Sequence, residues 1–306
     1  MLSFEGQVAV ITGAGRGLGA TYARELARRG ARVVVNDNGT SVSGNDRSPV
    51  PAEEVAGEIN EAGGVAIANT DSVADAAGGR AVIDAAIEAF GRIDILIHNA
   101  GIGRAKWFAE VSLADLESVL AVHLIGAFHL ITPAWERFVA QGSGSVITTT
   151  SAVGVFGQRR SSVYAAAKMG VIGLTRTLAH EGAAHNIRVN AIAPVAASRM
   201  ARDVYQHLTP MVPPERVAAA VVALAHPDCA VSGEVISAGG GRISRLVFGA
   251  NQGYFSPGLT AEEAAVELPR VCGDSELIAV PGCAMDEVDL IRREYPELAD
   301  RPMLPR

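Results

Sequence analysis

The most constraining stretch lies near the start. An apolar run within residues 7–12 leads into T-G-A-G-R-G-L-G, residues 12–19, and then into TYARELARRG, which has helical periodicity. Gly13, Gly15, Gly17 and Gly19 allow a backbone path that side chains would block. A strand, a glycine turn and a helix in that order bring backbone N–H groups and a helix N-terminus to one point, which suits a pyrophosphate. A lone glycine triplet says little, but this one sits between a strand and a helix, the context of a dinucleotide-binding turn. Gly13, Gly17 and Gly19 would supply the turn, the close approach and the tight helix–strand contact, with Arg16 and Leu18 between them.

Such a turn needs further strands alternating with helices, and the pattern supplies them. Residues 31–36 form a β-branched run that ends at Asp37, and residues 38–50 are a polar loop longer than the usual connection of roughly 2–6 residues. A helix follows over about 51–62, a strand at 65–69, a helix at 76–90 and a strand at 93–99. A long helix is predicted over about 114–139, with Pro133 as a candidate kink, then a strand at 144–150 and a second long helix over about 162–184. A strand at 187–193, a helix over about 214–226 and a last strand at 234–237 complete the set. The reading is an α/β, Rossmann-like doubly wound parallel sheet of seven strands, order 3-2-1-4-5-6-7, with helices on both faces.

These elements occupy residues 1–245 as one dinucleotide-binding and catalytic domain. Beyond them Pro257, Gly258, Pro269, Pro281 and Gly282 break up the pattern, and Thr260 with Glu263 suggests a capping box. Residues 246–306 are expected to be an extension packed on the same or a neighbouring subunit. Apolar residues at 49% and charged residues at 19% exclude a disordered chain. The 33 glycines of 306 residues exceed the usual level of about 7% without a collagen period. A net charge of −7 removes a general nucleic-acid footprint. Cys229, Cys272 and Cys283 have no metal-ligand spacing, so no metal site is expected and the thiols read as incidental in a reducing compartment. The start has neither the basic nor the apolar region of a signal peptide, and no uncharged apolar run reaches eighteen residues. A cytoplasmic location away from membranes is the expectation.

Asp37 lies eighteen residues past Gly19, where a carboxylate can accept the ribose hydroxyls of an adenosine and repel a 2′-phosphate. Arg16 could instead attract that phosphate, but Asp37 occupies the ribose position itself, so NAD is favoured and NADP is the lesser alternative. Asp71, followed by Ser72, suits an adenine amino group or a helix N-cap equally well. Asn99–Ala100–Gly101 ends the fourth strand with residues small enough for a cofactor to pass. Tyr164 and Lys168 share one helix face four residues apart, and Ser151 ends the fifth strand. A tyrosine is a poor base at its ordinary pKa near 10, but a neighbouring ammonium favours the phenolate, and a serine hydroxyl can hold a substrate oxygen. The three suit hydride transfer between a secondary alcohol and a nicotinamide.

With T-G-x3-G-x-G at 12–19, N-A-G at 99–101, Ser151, Y-x3-K at 164–168 and I-R-V-N-A-I-A-P at 187–194, residues 4–245 resemble the classical short-chain dehydrogenase/reductases. The resemblance implies Tyr164 as general acid/base, Lys168 binding the nicotinamide ribose, Ser151 orienting the substrate oxygen and Asn190 in a structural role. It places Pro194 and Ser198 on the cofactor, Ser198 towards the carboxamide. Two departures stand out. His123, in V-H-L-I-G, occupies the place of a usual asparagine that anchors a relay water, and the usual Pro-Gly after strand six reads Pro194–Val195. Both are similar to one branch, the (3R)-hydroxyacyl-CoA dehydrogenase domains of peroxisomal multifunctional enzyme type 2, also described as 17β-hydroxysteroid dehydrogenase type 4. His123 therefore joins the catalytic candidates, in a structural or proton-transfer role.

The resemblance implies NAD-dependent interconversion of a secondary alcohol and a ketone, on a 3-hydroxyacyl-CoA or similar apolar substrate. A hydroxysteroid is the alternative, and an inactive cofactor-binding protein the rival from another class. Trp107, Phe108, Val153, Val155 and Phe156 would wall the substrate; Arg159 and Arg160 would meet acyl-CoA phosphates or lie solvated. The two long helices would pair subunits into a homodimer or homotetramer.

Overall fold

The structure, a computed structural model, describes residues 2–197, 209–273 and 276–280. The chain divides into two compact units, Met1–Arg245 and Leu246–Arg306. In the first, β1 (Val8–Thr12), β2 (Arg32–Asn36), β3 (Val65–Asn69), β4 (Ile95–His98), β5 (Gly144–Thr149), β6 (Ile187–Val195) and β7 (Val235–Gly239) lie in the order 3-2-1-4-5-6-7, as predicted. The pairs recorded among them are all parallel, and β1 is fully buried because both faces carry helices.

An eighth strand, β8 (Arg242–Leu246), was not foreseen and joins the sheet beside β7. Gly240 and Gly241, at φ 59° and 84°, form the two-residue loop between them. Two successive positive φ values define the hairpin turn that asparagine or glycine permits, so the Gly239–Gly240–Gly241 run marks a reversal of the chain. This makes the sheet mixed at that edge.

Helices α1 (Gly17–Ala27) and α2 (Val50–Glu61) cover one face, together with the later helix at Pro214–Ala225. Tyr22, Leu26, Val55 and Val221 bury that layer against Ile11, Val33 and Ile97. On the other face lie α3 (Ala76–Phe90) and the long segment Leu113–Gln141, with Val82, Ile83, Leu130 and Phe138 against Val8, Val10 and Leu96. Burial of such aliphatic side chains, about 1.5–3 kcal/mol each, is the main drive for both layers. The long segment is long and apolar enough to cross a membrane, yet its buried side chains fill this core.

The expected single helix over 114–139 is three pieces: α4 (Leu113–Leu120), a π-helical turn over Ala121–Ile125, and α5 (Gly126–Gln141). Ser112 caps α4, and the irregularity falls at His123 rather than at Pro133, which sits inside α5. A π turn inserts one residue into the ladder and re-aims the side chains around it, which often marks a functional position. The short α6 (Ala152–Phe156) and the long α7 (Ser162–Gly182) follow β5, and the helix at Pro214–Ala225 is α8. A Cβ on Gly170 would lie 2.9 Å from Leu124 Cδ2, so this glycine lets α7 close on the π turn.

The second unit holds β9 (Ala250–Asn251), α9 (Ala261–Val271) and β10 (Leu277–Ala279), with β9 and β10 antiparallel. Thr260 caps α9 by accepting from the Glu263 amide at 3.1 Å. The Glu263 carboxylate does not close the expected box. It accepts instead from Tyr254 and Ser256.

Candidate active site

The turn after β1 behaves as a cradle. Gly13, at φ 63°, passes so close to β4 that a Cβ there would lie 2.8 Å from Ala100 Cα. A Cβ on Gly19 would meet the Gly13 carbonyl oxygen at 2.3 Å, so only glycine permits α1 to start there. Gly17, at φ 54°, has no atom within 4 Å of where its Cβ would stand, which leaves its backbone open to a bound molecule. Arg16 occupies the N-cap of α1 without a side-chain cap bond, so side-chain oxygens do not claim the first-turn N–H groups. Leu18 packs partly buried against the core. Gly15, for which the sequence offered no role, would put a Cβ 2.7 Å from Pro51.

Asp37 is turned to this loop. One carboxylate oxygen accepts from the Gly15 amide at 2.9 Å and the other from the Gly39 amide at 2.7 Å. Each oxygen keeps acceptor capacity, so the carboxylate can serve ribose hydroxyls as well. Asn99 is more than a small residue in the path: its amide nitrogen donates to the carbonyls of Thr12 and Gly13, each at 3.0 Å, and clamps the turn. Asp71 is exposed and holds Asn69 at 2.8 Å, while the N-cap of α3 is Asp75. Ser72 accepts from the Ala74 amide at 3.2 Å.

At the carboxyl end of β5, Ser151 starts α6 and its oxygen accepts from the Val153 amide at 3.1 Å, so the hydroxyl proton is left to donate elsewhere. Tyr164 and Lys168 stand one turn apart on α7, with the ammonium nitrogen 5.6 Å from the phenol ring centre. Lys168 is buried and donates to the Thr149 carbonyl at 2.6 Å. Burial pushes its pKa down to about 7. The His123 ring, also buried, meets Tyr164 edge-on at 5.2 Å. Its environment holds it well below the usual histidine range, through burial first and then the charge of Lys168.

One cavity of about 500 Å³ is lined by Gly13, Arg16, Gly17, Leu18, Asn99 and Gly101, and at its other end by His123, Ser151, Tyr164, Lys168 and Pro194. The phosphate turn and the proposed catalytic groups thus open onto one space. Gly19, Asp37, Asp71, Ser72 and Ala100 do not line it, and Ser198 lies outside the described residues. Thr149 Oγ1 in the same wall is buried without a hydrogen-bond partner, which a polar ligand would relieve. With the open backbone at Gly17, these features fit a dinucleotide. Among the described residues, no group of three or more His, Cys, Asp or Glu is placed to hold a metal.

Arg104 and Gln158 also line the cavity, from the loops after strands four and five (102–112 and 152–162) where substrate contacts are expected, and Val42 does so from a loop not foreseen. The length of the 38–50 loop was the available signal for Val42, whose carbonyl accepts from the Gly103 amide at 2.9 Å. Of the expected apolar wall, Val153 lines the cavity, whereas Trp107, Phe108 and Phe156 stand 51%, 82% and 73% exposed. Neither Arg159 nor Arg160 reaches the cavity. Arg160 instead joins the loops after β4 and β5: its guanidinium lies 6.0 Å from the Trp107 ring centre, and its carbonyl accepts from the Lys106 amide. Asn190 donates to the Val231 carbonyl at 2.7 Å and accepts from the Glu234 amide at 3.1 Å, pinning the approach to β7.

Residues 7–208 match the family model described as short chain dehydrogenase. A peroxisomal hydratase-dehydrogenase-epimerase of Saccharomyces cerevisiae is 43% identical over 84% of this chain, which spans 28% of that protein. A putative short-chain type dehydrogenase/reductase of Mycobacterium tuberculosis is 42% identical over 83% of this chain and 89% of its own length. The solved full-length peroxisomal multifunctional enzyme type 2 of Drosophila melanogaster matches with a TM-score of 0.79 at 32% identity, over 97% of this chain and 51% of that one. These relatives correct the expected cytoplasmic location, since the yeast and fly proteins are peroxisomal enzymes. Peroxisomal addresses are short receptor-read signals, so a signal-peptide criterion does not distinguish the two compartments. Motifs, fold and relatives agree: the chain belongs to the short-chain dehydrogenase/reductase family, enzymes that interconvert alcohols and ketones with NAD or NADP.

Proposed function

We propose that this enzyme is an NAD-linked dehydrogenase that oxidises the 3-hydroxyl of a hydroxyacyl-CoA, or reduces the matching ketone. The observation that carries the reading is the convergence of Ser151, Tyr164 and Lys168 with the glycine turn on one cavity. Gly13, Arg16, Gly17 and Leu18 hold the pyrophosphate, and Asp37 takes the adenosine ribose hydroxyls and selects against a 2′-phosphate. Asp71 and Ser72 border the adenine, and Asn99, Ala100, Gly101 and Pro194 border the nicotinamide half. The nicotinamide, when bound, supplies a hydride acceptor or donor.

Ser151 donates its hydroxyl proton to the substrate oxygen and so fixes the carbinol carbon in the cavity. Tyr164 removes the alcohol proton, and Lys168 favours its phenolate form and binds the nicotinamide ribose. A lysine held near pKa 7 by burial can change its protonation at working pH, which suits a group that passes charge to its neighbour. The CoA assignment is supported by the resemblance to multifunctional-enzyme dehydrogenase domains and by the exposed aromatic side chains Trp107, Phe108 and Phe156 on the segments that follow β4 and β5, which offer apolar surface to an acyl chain. The exposed apolar side chains Ile125 and Phe128 on the π turn and α5, and Met169 on α7, support subunit pairing through these helices.

The test is NADH formation from NAD with 3-hydroxybutyryl-CoA and, in parallel, a 17β-hydroxysteroid. Saturable oxidation of the thioester alone supports the reading. Turnover of the steroid alone, or a clear preference for NADP, contradicts it.

A further inference from the structure

Of two buried histidines, His123 lines the cavity and His98 does not, and the acid–base reading uses neither. His98 ends β4 and His123 sits in the π turn, each 1% exposed. Their hydrogen bonds form a chain with a fixed direction. Thr12 Oγ1 accepts from the amides of Asn99 at 3.2 Å and Ala100 at 3.1 Å, so its own proton goes to His98 Nδ1 at 3.3 Å. His98 Nε2 then carries the ring proton and donates to the His123 carbonyl at 3.1 Å.

The His123 ring continues the path. Its Nε2 lies 2.8 Å from the Ile102 carbonyl and 3.0 Å from the Ile102 amide nitrogen. Whichever ring nitrogen carries the proton, Nε2 is held by the Ile102 backbone, as donor to the carbonyl or acceptor from the amide. A Cβ on Gly101 would lie 2.5 Å from His123 Cε1, so the ring rests on bare backbone. Its other neighbour is the Tyr164 ring, edge-on. The path therefore runs from the phosphate turn to the first residues of the substrate loop and to the catalytic tyrosine.

We propose that His98 and His123 are a pair of positioning residues that ties the phosphate turn to the substrate loop, His123 setting Ile102 and Tyr164. The groups that face the pair are Lys168 and Tyr164 from α7, Thr12 from β1 and the backbone of residues 101–102. Burial opposes a positive charge on either ring, and Lys168 acts the same way when protonated; His98 is pushed down to about 4.

This inference rests on the alcohol dehydrogenase activity and not on the CoA assignment. The experiment compares wild type, His123→Ala and His123→Asn with 3-hydroxybutyryl-CoA and NAD, with NADH binding as the folding control. In the alanine variant KM for the thioester rises about tenfold or more, kcat falls far less and the pH midpoint of kcat stays in place. Asparagine, which can still bond the Ile102 backbone, recovers part of the loss. Unchanged KM, or a displaced pH midpoint, overturns the proposal. A second arm needs no substrate: hydrogen exchange of the segment 99–107 in the NADH complex. Protection across the segment falls in His123→Ala, since the Ile102 peptide loses its anchor whichever way the ring bonds it; full retention throughout the segment overturns the proposal even where the wild type ignores the thioester, a result that would count against the CoA assignment alone.

Discussion

Separate substitution of Gly17 and Gly19 by alanine divides folding from cofactor binding at a single turn. At Gly19 the new methyl would sit 2.3 Å from the Gly13 carbonyl oxygen and 2.7 Å from the Asn99 amide nitrogen, which itself clamps that carbonyl. Backbone on one side and a bonded side chain on the other leave little freedom to yield, so the overpacking cost lies at or above the usual range, about 3 kcal/mol. At about 2–4 °C per kcal/mol, Tm falls by roughly 6–12 °C. At Gly17 the methyl meets no protein atom within 4 Å, and the cost is that of holding alanine at φ 54°, about 1–2 kcal/mol. That methyl nevertheless stands where the phosphates must approach. Loss of one charge-assisted hydrogen bond, about 1.5–3 kcal/mol, weakens NADH binding by roughly 10- to 150-fold. Thermal unfolding and NADH fluorescence titration of both variants provide the test. Gly17→Ala with wild-type NADH affinity, or Gly19→Ala with wild-type Tm, would refute the reasoning.

Three other outcomes are expected. Asp37→Ser weakens NAD by about tenfold and narrows the preference over NADP, read from paired binding titrations; an unchanged ratio would remove Asp37 from cofactor selection. Lys168 has its pKa lowered to about 7 in the fold, so the penalty of burying the ammonium is fully present below pH 7 and is relieved as pH rises towards the unfolded value near 10.5. Relative to Lys168→Met, wild-type apoprotein therefore gains about 2 kcal/mol of unfolding free energy between pH 7 and pH 9, measurable by denaturant titration. A flat difference would contradict the buried-lysine assignment. Thr12→Val deprives the Asn99 and Ala100 amides and His98 Nδ1 of their shared hydroxyl, costing about 2–5 kcal/mol, with NADH affinity falling alongside Tm; a neutral substitution would argue against the histidine pair.

Much of the molecule was legible in the sequence because its signals are local. The glycine turn, the strand order through β7 and the spacing of Ser151, Tyr164 and Lys168 each lie within one or two adjacent elements. What escaped depends on contacts between distant ones. The π turn has an ordinary helical sequence, and its extra residue is evident only where His98, twenty-five positions earlier, bonds the His123 carbonyl. The Asn99 clamp reaches eighty-six positions back to Gly13. β8 was signalled by its glycine run, but a two-residue hairpin there requires positive φ at both Gly240 and Gly241, which composition does not specify. Trp107, Phe108 and Phe156 read as a pocket wall because they are apolar; whether such residues wall a cavity or face solvent is decided by loop path.

The central claim is that Tyr164 moves the proton of an alcohol oxidised within this cavity. Tyr164→Phe removes only the phenolic oxygen and leaves the ring against His123 and Lys168. With NAD and 3-hydroxybutyryl-CoA, the variant is expected to bind NADH within about twofold of wild type and to lose about three orders of magnitude or more in kcat, the contribution of a positioned acid–base group. Turnover retained at the wild-type rate would contradict the account.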